Sequence, residues 1–151
     1  MESWEIEARM SILHTMGRYS NAGDRGRAED YASCFAPDGT FEVVDEGVSA
    51  TGRDAIMAFL EGEKASLAGK MTTRLIRHFW ASPKIEVTSP TEATADSYFL
   101  AITDIGPDHW GRYRDSWRPV DGEWLIAHRK VTLDGATPGS WQEEIVKAAG
   151  K

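Results

Sequence analysis

At 151 residues, 41% hydrophobic and 27% charged, the chain has the composition of a folded globular protein, which excludes disordered and fibrous designs; one domain over 1–151 is expected, with 134–151 as a tail or capping segment. Its net charge of -7 repels a phosphate backbone and no basic cluster offsets it, so nucleic acid is excluded as a partner. No apolar run reaches membrane-spanning length, residues 1–7 carry three glutamates where a secretory signal needs basic charge, and the single cysteine, Cys34, excludes an intrachain disulfide; a cytoplasmic protein without a membrane partner is expected.

From Ile6, the apolar residues Met10, Leu13 and Met16 recur at helical spacing and lead to Tyr19, after which Asn21-Ala22-Gly23 supplies a stop. A second, short helix is expected over 27–35, with Cys34 on its apolar face beside Tyr31 and Phe35. Ala36-Pro37-Asp38-Gly39 closes it as a turn and a strand follows over 40–44. Thr51-Gly52-Arg53-Asp54 opens a third helix, whose Ile56, Phe59 and Leu60 show the i, i+3, i+4 spacing and which ends near Gly69.

From Thr73 the period changes to two, and four strands are expected: 74–80 running irregularly through Pro83 to 87, then 93–103, 111–118 and 124–133. Ser89-Pro90-Thr91-Glu92 and Val120-Asp121-Gly122-Glu123 read as hairpin turns, and Ile105-Gly106-Pro107-Asp108 as a looser connection. A weakly amphipathic segment over 141–149 either caps the structure or frays. Helices packed on one face of a curved antiparallel sheet make an α+β cone with a pocket inside, suited to a small apolar ligand.

Candidate chemistry gathers at few positions. Tyr19 and Asp24 flank the end of the first helix and can face one cavity mouth, although read alone Tyr19 is a core aromatic and Asp24 a cap for the next helix. His78 alternates with Ile76 and Trp80 on one strand face; a carboxylate such as Asp24 would orient it as a general base, while a backbone carbonyl would make it a structural histidine. Arg129 falls among Leu125, Ala127 and Val131 by alternation, so it needs a partner, either Asp24 or an oxygen of the substrate. His14, His109 and His128 read as surface residues. The histidines are scattered and Gly23-Asp24-Arg25-Gly26 lacks the preceding strand and lysine of a phosphate loop, so neither a metal nor a nucleotide cofactor is expected.

Five stretches carry a family likeness: Gly17-Arg18-Tyr19-Ser20 followed by Asp24; Cys34-Phe35-Ala36-Pro37-Asp38-Gly39; Gly52-Arg53-Asp54-Ala55-Ile56; Arg77-His78-Phe79; and Gly111-Arg112-Tyr113 leading to Asp121-Gly122-Glu123-Trp124. On these the chain resembles the SnoaL-like branch of the nuclear transport factor 2-like superfamily, from Ile6 to Leu133. The resemblance implies a cone-shaped antiparallel sheet against three N-terminal helices. It also implies an aspartate–histidine pair, Asp24 with His78, as in scytalone dehydratases, bile acid 7α-dehydratases and dehydrochlorinases of this branch. Tyr19 would polarise the substrate oxygen and Arg129 would hold a leaving group or acidic substituent. The second polar residue that several dehydratases carry on the middle strand has Tyr98, Ser97 and Thr103 as candidates.

The expected activity is proton abstraction next to a carbonyl with loss of water, on a steroid-, terpenoid- or polyketide-like substrate lined by Phe41, Phe59, Leu60, Trp80, Tyr98, Phe99 and Trp117. The alternatives are a polyketide cyclase or ketosteroid-isomerase-like isomerase, and a noncatalytic binding or assembly module. A homodimer or homotrimer is expected from the fold class, with Trp110 and Trp141 as exposed aromatics for the contact.

Overall fold

The computed structural model describes residues 1–69 and 75–151. The expected strand start at Thr73 and Arg74 lies outside the described residues. Helix α1 spans Ser3–Asp24, α2 Ala28–Ser33 and α3 Arg53–Ala68; a short helix α4, Glu143–Ala148, lies near the C-terminus. The strands are β1 Phe35–Val43, β2 Val48–Thr51, β3 Arg77–Ser89, β4 Glu92–Thr103, β5 Gly106–Val120 and β6 Glu123–Ala136. They form one open sheet in the order β2-β1-β6-β5-β4-β3.

Four of these strands pair as sequence neighbours, β3 to β6, all antiparallel. The exception to the antiparallel expectation is β1, which runs parallel to β6 and brings Phe41 beside Arg129. Two strand ends also differ from the sequence reading. The stretch after α2 is extended from Phe35, and β2 is an additional strand that pairs with β1 as a hairpin. The segment 105–108 is no loose connection either: β5 starts at Gly106. At the β5–β6 hairpin Asp121 and Gly122 have φ of 50° and 85°, the double left-handed geometry that an Asp-Gly pair is suited to.

Inward and outward residues alternate cleanly on β4, with Ala93, Ala95, Ser97, Phe99, Ala101 and Thr103 buried. Helix α1 packs against β3 and β6. Thr15 Oγ1 donates to the Trp124 carbonyl at 2.9 Å and the Trp124 N–H donates to Ser11 Oγ at 3.0 Å, fixing α1 on β6. The buried face of α1 is Ala8, Ile12, Thr15, Met16, Tyr19 and Ala22, a stripe rotated from the expected one. Ile6 and Met10 are exposed, because alanine and threonine, weak signals in a sequence, occupy the inward positions.

Irregularities bend the sheet and redirect side chains. On β3 the register shifts between Ala81 and Lys84, where Ser82 has a φ of 52°, as the irregular passage through Pro83 suggested. On β6 the shift beside Ala127 changes the inward phase, so Trp124 and Ile126 precede it in the core while Arg129, Val131 and Leu133 follow. Gly111 lies where β5 approaches both neighbours; a Cβ there would meet the Thr132 carbonyl oxygen at 2.0 Å and the Phe99 ring at 2.9 Å.

Candidate active site

A cavity of about 130 Å³ lies between the inner face of the sheet and helices α1 to α3. Its wall is mostly aromatic and aliphatic, including Phe41, Phe59, Leu60 and Phe99; among the described residues, the charged ones on its lining include Glu46, Glu63 and Lys64. Four of the seven expected substrate-contacting residues therefore reach it. The other three do not. Tyr98 is 60% exposed on the outer face of β4, Trp117 is fully buried in the core beyond the cavity, and Trp80 packs partly buried against that core. Strand alternation sends Tyr98 outward, and Trp117 lies further along β5 than the wall extends.

Asp24 is the last residue of α1, where a carboxylate is unfavourable against the negative end of the helix dipole. It makes no cap for α2, whose N-cap is Arg27. Its carboxylate instead reaches the edge strand β3. It accepts the His78 backbone N–H at 3.1 and 3.0 Å, and Oδ1 lies 2.7 Å from His78 Nδ1. An ionised carboxylate only accepts, so the proton of this contact belongs to Nδ1 and the lone pair to Nε2. The His78 side chain is 24% exposed and lines the cavity, while Asp24 is nearly covered. This one carboxylate covers part of a sheet edge and orients an imidazole.

A second histidine reaches the cavity from a stretch that the sequence reading placed in a surface loop. His109 is buried on β5, lines the cavity, and has its ring centroid 6.0 Å from that of His78, with the Phe99 ring touching both. Its Nδ1 lies 2.7 Å from Asp108 Oδ2. Adjacent strand residues cannot both point inward in a regular ladder. Here Ala101 pairs with His109 and Ile102 with Pro107, so Asp108 is the extra residue of a bulge. Burial is the largest influence on His109 and holds it below the usual histidine range, against the pull of Asp108; positive charge on His78 lowers it further. Burial pushes the Asp108 carboxyl upward, but hydrogen bonds from His109, Thr103 and the Trp141 backbone outweigh it and keep it below the ordinary value. The signal in the sequence was Gly106-Pro107 beside an Asp-His pair, a place for a bulge.

Tyr19 and Tyr31 both line the cavity, and the Tyr31 hydroxyl donates to the Tyr19 oxygen at 2.8 Å. That leaves the Tyr19 proton for another acceptor. Burial raises the pKa of Tyr19, countered in part by Arg129, so Tyr19 remains a neutral donor. Ser20 Oγ, buried on the same wall, has no hydrogen-bond partner among the described residues.

Arg129 requires correction. It neither meets Asp24 nor lines the cavity: its Nε and Nη2 donate to the two oxygens of Asp115 at 2.8 and 2.6 Å, with both side chains essentially inaccessible. Its guanidinium lies 4.1 Å from the ring centroids of Tyr19 and Tyr113, held between them. Asp115 outweighs burial and keeps the arginine charged. Position 115 is two residues before Trp117 on the inward face of β5, a partner that pairing between strands supplies. Trp141, expected as an exposed aromatic, lines the cavity instead, its ring edge-on to His109 with centroids 5.8 Å apart. Of the remaining histidines His14 is exposed and His128 contacts Glu42 at 2.9 Å away from the cavity.

A family model described as a SnoaL-like domain matches residues 4–130. The chain belongs to the SnoaL-like family. Among solved structures, a protein of Novosphingobium aromaticivorans DSM 12444 provisionally named scytalone dehydratase is 28% identical, with a TM-score of 0.76 over 91% of each chain. A nuclear transport factor 2-like protein with a cystatin-like fold from Novosphingobium aromaticivorans is 25% identical, with a TM-score of 0.74 over 89% of this chain and 87% of that one. ActVI-ORFA of Streptomyces coelicolor is 27% identical, with a TM-score of 0.70 over 83% of this chain and 97% of that one. No curated protein matches the chain. The fold of this SnoaL-like protein is thus the cystatin-like α+β fold of the nuclear transport factor 2-like proteins. Among its described residues, no helix is long and apolar enough to cross a membrane and no three His, Cys, Asp or Glu side chains group at metal-binding spacing.

Proposed function

We propose that this SnoaL-like protein is a cofactor-independent acid–base lyase that removes a proton from carbon next to a carbonyl and expels water. The observation that carries the reading is the pair of imidazoles set edge to face with centroids 6.0 Å apart, each held at Nδ1 by its own carboxylate, beside a tyrosine hydroxyl with a proton to donate. A dehydration needs a base for the C–H proton, a donor for the developing enolate and a contact for the departing hydroxyl. His78 Nε2 takes the proton and Asp24 stabilises the imidazolium formed; Tyr19 donates to the enolate oxygen. Neutral His109 accepts a hydrogen bond from the substrate hydroxyl and holds it near His78. The His78 imidazolium then protonates that oxygen as the C–O bond breaks, so water leaves and the enzyme returns to its starting charge. A positioned base supplies roughly a hundredfold to ten-thousandfold, and one donor to the oxyanion about 3 kcal/mol.

The cavity bears on substrate size. About 130 Å³ compares with the ~150 Å³ apolar cavity that takes up benzene, so one six-membered ring fits inside and a larger skeleton must extend beyond it. This supports a polyketide-like hydroxyketone of one enclosed ring over a fully enclosed steroid. The likeness to a provisionally named scytalone dehydratase points the same way. The reading includes a homodimer or homotrimer through the outer sheet face, where Phe79, Leu100 and Trp110 form a row across paired strands, Phe79 and Trp110 exposed; sedimentation would test it.

The test is incubation of wild type and His78→Ala in D2O with a panel of cyclic β-hydroxyketones, followed by mass spectrometry. Loss of 18 mass units that disappears in His78→Ala is the expected result. Deuterium uptake without mass loss would identify the isomerase instead, and full turnover by His78→Ala would overturn the mechanism.

A further inference from the structure

The Asp108 carboxylate has more partners than orientation of His109 needs. Oδ2 faces His109 Nδ1, while Oδ1 accepts the Thr103 hydroxyl at 2.8 Å and the Trp141 backbone N–H at 3.2 Å. The Asp108 main-chain carbonyl accepts the Thr137 N–H at 2.8 Å. One bulge residue therefore grips the segment after β6 twice, through backbone and side chain. That segment forms part of the cavity wall: Trp141 and Gln142 are on it, with the Trp141 ring against His109. Its far end is also fastened, since Lys151 Nζ donates to Asp45 Oδ1 at 2.6 Å and to the Leu133 carbonyl at 2.5 Å, and Val146 is buried in the core.

We propose that Asp108 is a positioning residue that couples docking of the C-terminal strap, residues 137–142, to the state of His109, so that the second imidazole is set for reaction only when the strap is down. With the strap docked, the carboxylate divides its acceptor capacity among three donors, and the Trp141 ring keeps water from His109. The ring proton is fixed on Nδ1 and Nε2 is bare on the cavity wall. Lifting the strap removes one donor from Asp108, concentrates its charge on His109 and wets the ring; all three changes favour imidazolium, which cannot accept the substrate hydroxyl. Among the described residues, the other charged or titratable groups around His109 include His78 on β3 with Asp24 of α1 behind it, Tyr113 on β5, and Tyr19 and Glu46 on the cavity lining.

The functional half of this inference rests on the lyase reading; the coupling does not, and the experiment reads it without substrate. Nitrogen-15 NMR of the histidine rings is recorded against pH for wild type, Asp108→Asn, a chain ending at Ser140, and full-length Trp141→Pro, which removes the N–H donor and the indole and also fixes the backbone at that position. Wild type should show His109 protonated on Nδ1 with a midpoint below the ordinary histidine value of 6.5. In Asp108→Asn the amide oxygen still accepts from Trp141 while the amide NH2 faces Nδ1, so the proton should move to Nε2 with the strap still protected from amide exchange. Loss of the strap or its donor should raise the midpoint by about one pH unit, because burial and donor sharing are removed together. An unchanged tautomer in Asp108→Asn, or an unchanged midpoint in whichever strap variant keeps a folded spectrum, would overturn the proposal. Absence of any dehydratase activity in wild type would leave the coupling standing and remove the lyase.

Discussion

Breaking the Arg129–Asp115 pair separates a structural arginine from a substrate-binding one. Both side chains are inaccessible, with two hydrogen bonds of 2.8 and 2.6 Å and a tyrosine ring on each face of the guanidinium. Asp115→Asn leaves a buried cation without its counter-charge, which costs about 3–5 kcal/mol, a large part of the ~5–15 kcal/mol that holds a domain of this size together. With a urea slope of about 2 kcal/mol per molar, the midpoint should fall by roughly 2 M. The double variant Arg129→Met, Asp115→Leu removes both charges at similar volume and should recover most of that loss, forgoing only the contacts of the cation with Tyr19 and Tyr113, about 2 kcal/mol at most. Equilibrium urea unfolding of wild type, Arg129→Met, Asp115→Leu and the double variant closes the cycle, with Asp115→Asn measured beside it. The KM of the double variant should stay within about threefold of wild type, since 1.4 kcal/mol is needed for a tenfold change. A double variant as unstable as Asp115→Asn, or one of near-native stability that has lost substrate binding, would refute this account and return Arg129 to the substrate.

Tyr19→Phe should lower kcat by roughly a hundredfold to a thousandfold through loss of one donor to the enolate, and cost about 1–3 kcal/mol by stranding the Tyr31 hydroxyl; unchanged kcat would remove Tyr19 from the chemistry. His109 has its folded value pushed below the ordinary 6.5 by burial, so the unfolded chain binds the proton more readily; its contribution to stability is complete above about pH 6.5 and is lost as pH falls toward the folded value. Urea midpoints between pH 7.5 and 5 should therefore drop less steeply in His109→Gln than in wild type. Gly111→Ala should destabilise by about 1–3 kcal/mol or more, because its methyl would meet main chain as well as the Phe99 ring; a near-native melting temperature would contradict the close approach of β5 and β6.

Local pattern in the chain was enough for the main elements. Period and punctuation located α1 and α3, the strands from β3 onward and the Asp121-Gly122 turn, since each is determined by residues a few positions apart. The likeness of Tyr19, Asp24 and His78 to a family pattern paired Asp24 with His78, 54 positions away, and in the structure their side chains lie 2.7 Å apart. Alternation also identified Arg129 as inward-facing, but not what it faces. Asp115, 14 positions away, becomes its partner only because β5 and β6 pair in that register. The parallel run of β1 beside β6 follows from how the sheet wraps the helices, which leaves no mark on either strand alone. Asp108 and His109 show the limit most clearly. Strict alternation allows one of two neighbours inside, and a single extra residue opposite Ala101 and Ile102 buries both, because the hydrogen-bond ladder tolerates a bulge that a period of two cannot represent. Composition and period determined which elements form and which residues seek burial; register, bulges and docking of the strap are set by contacts between distant segments, and only the folded chain makes them.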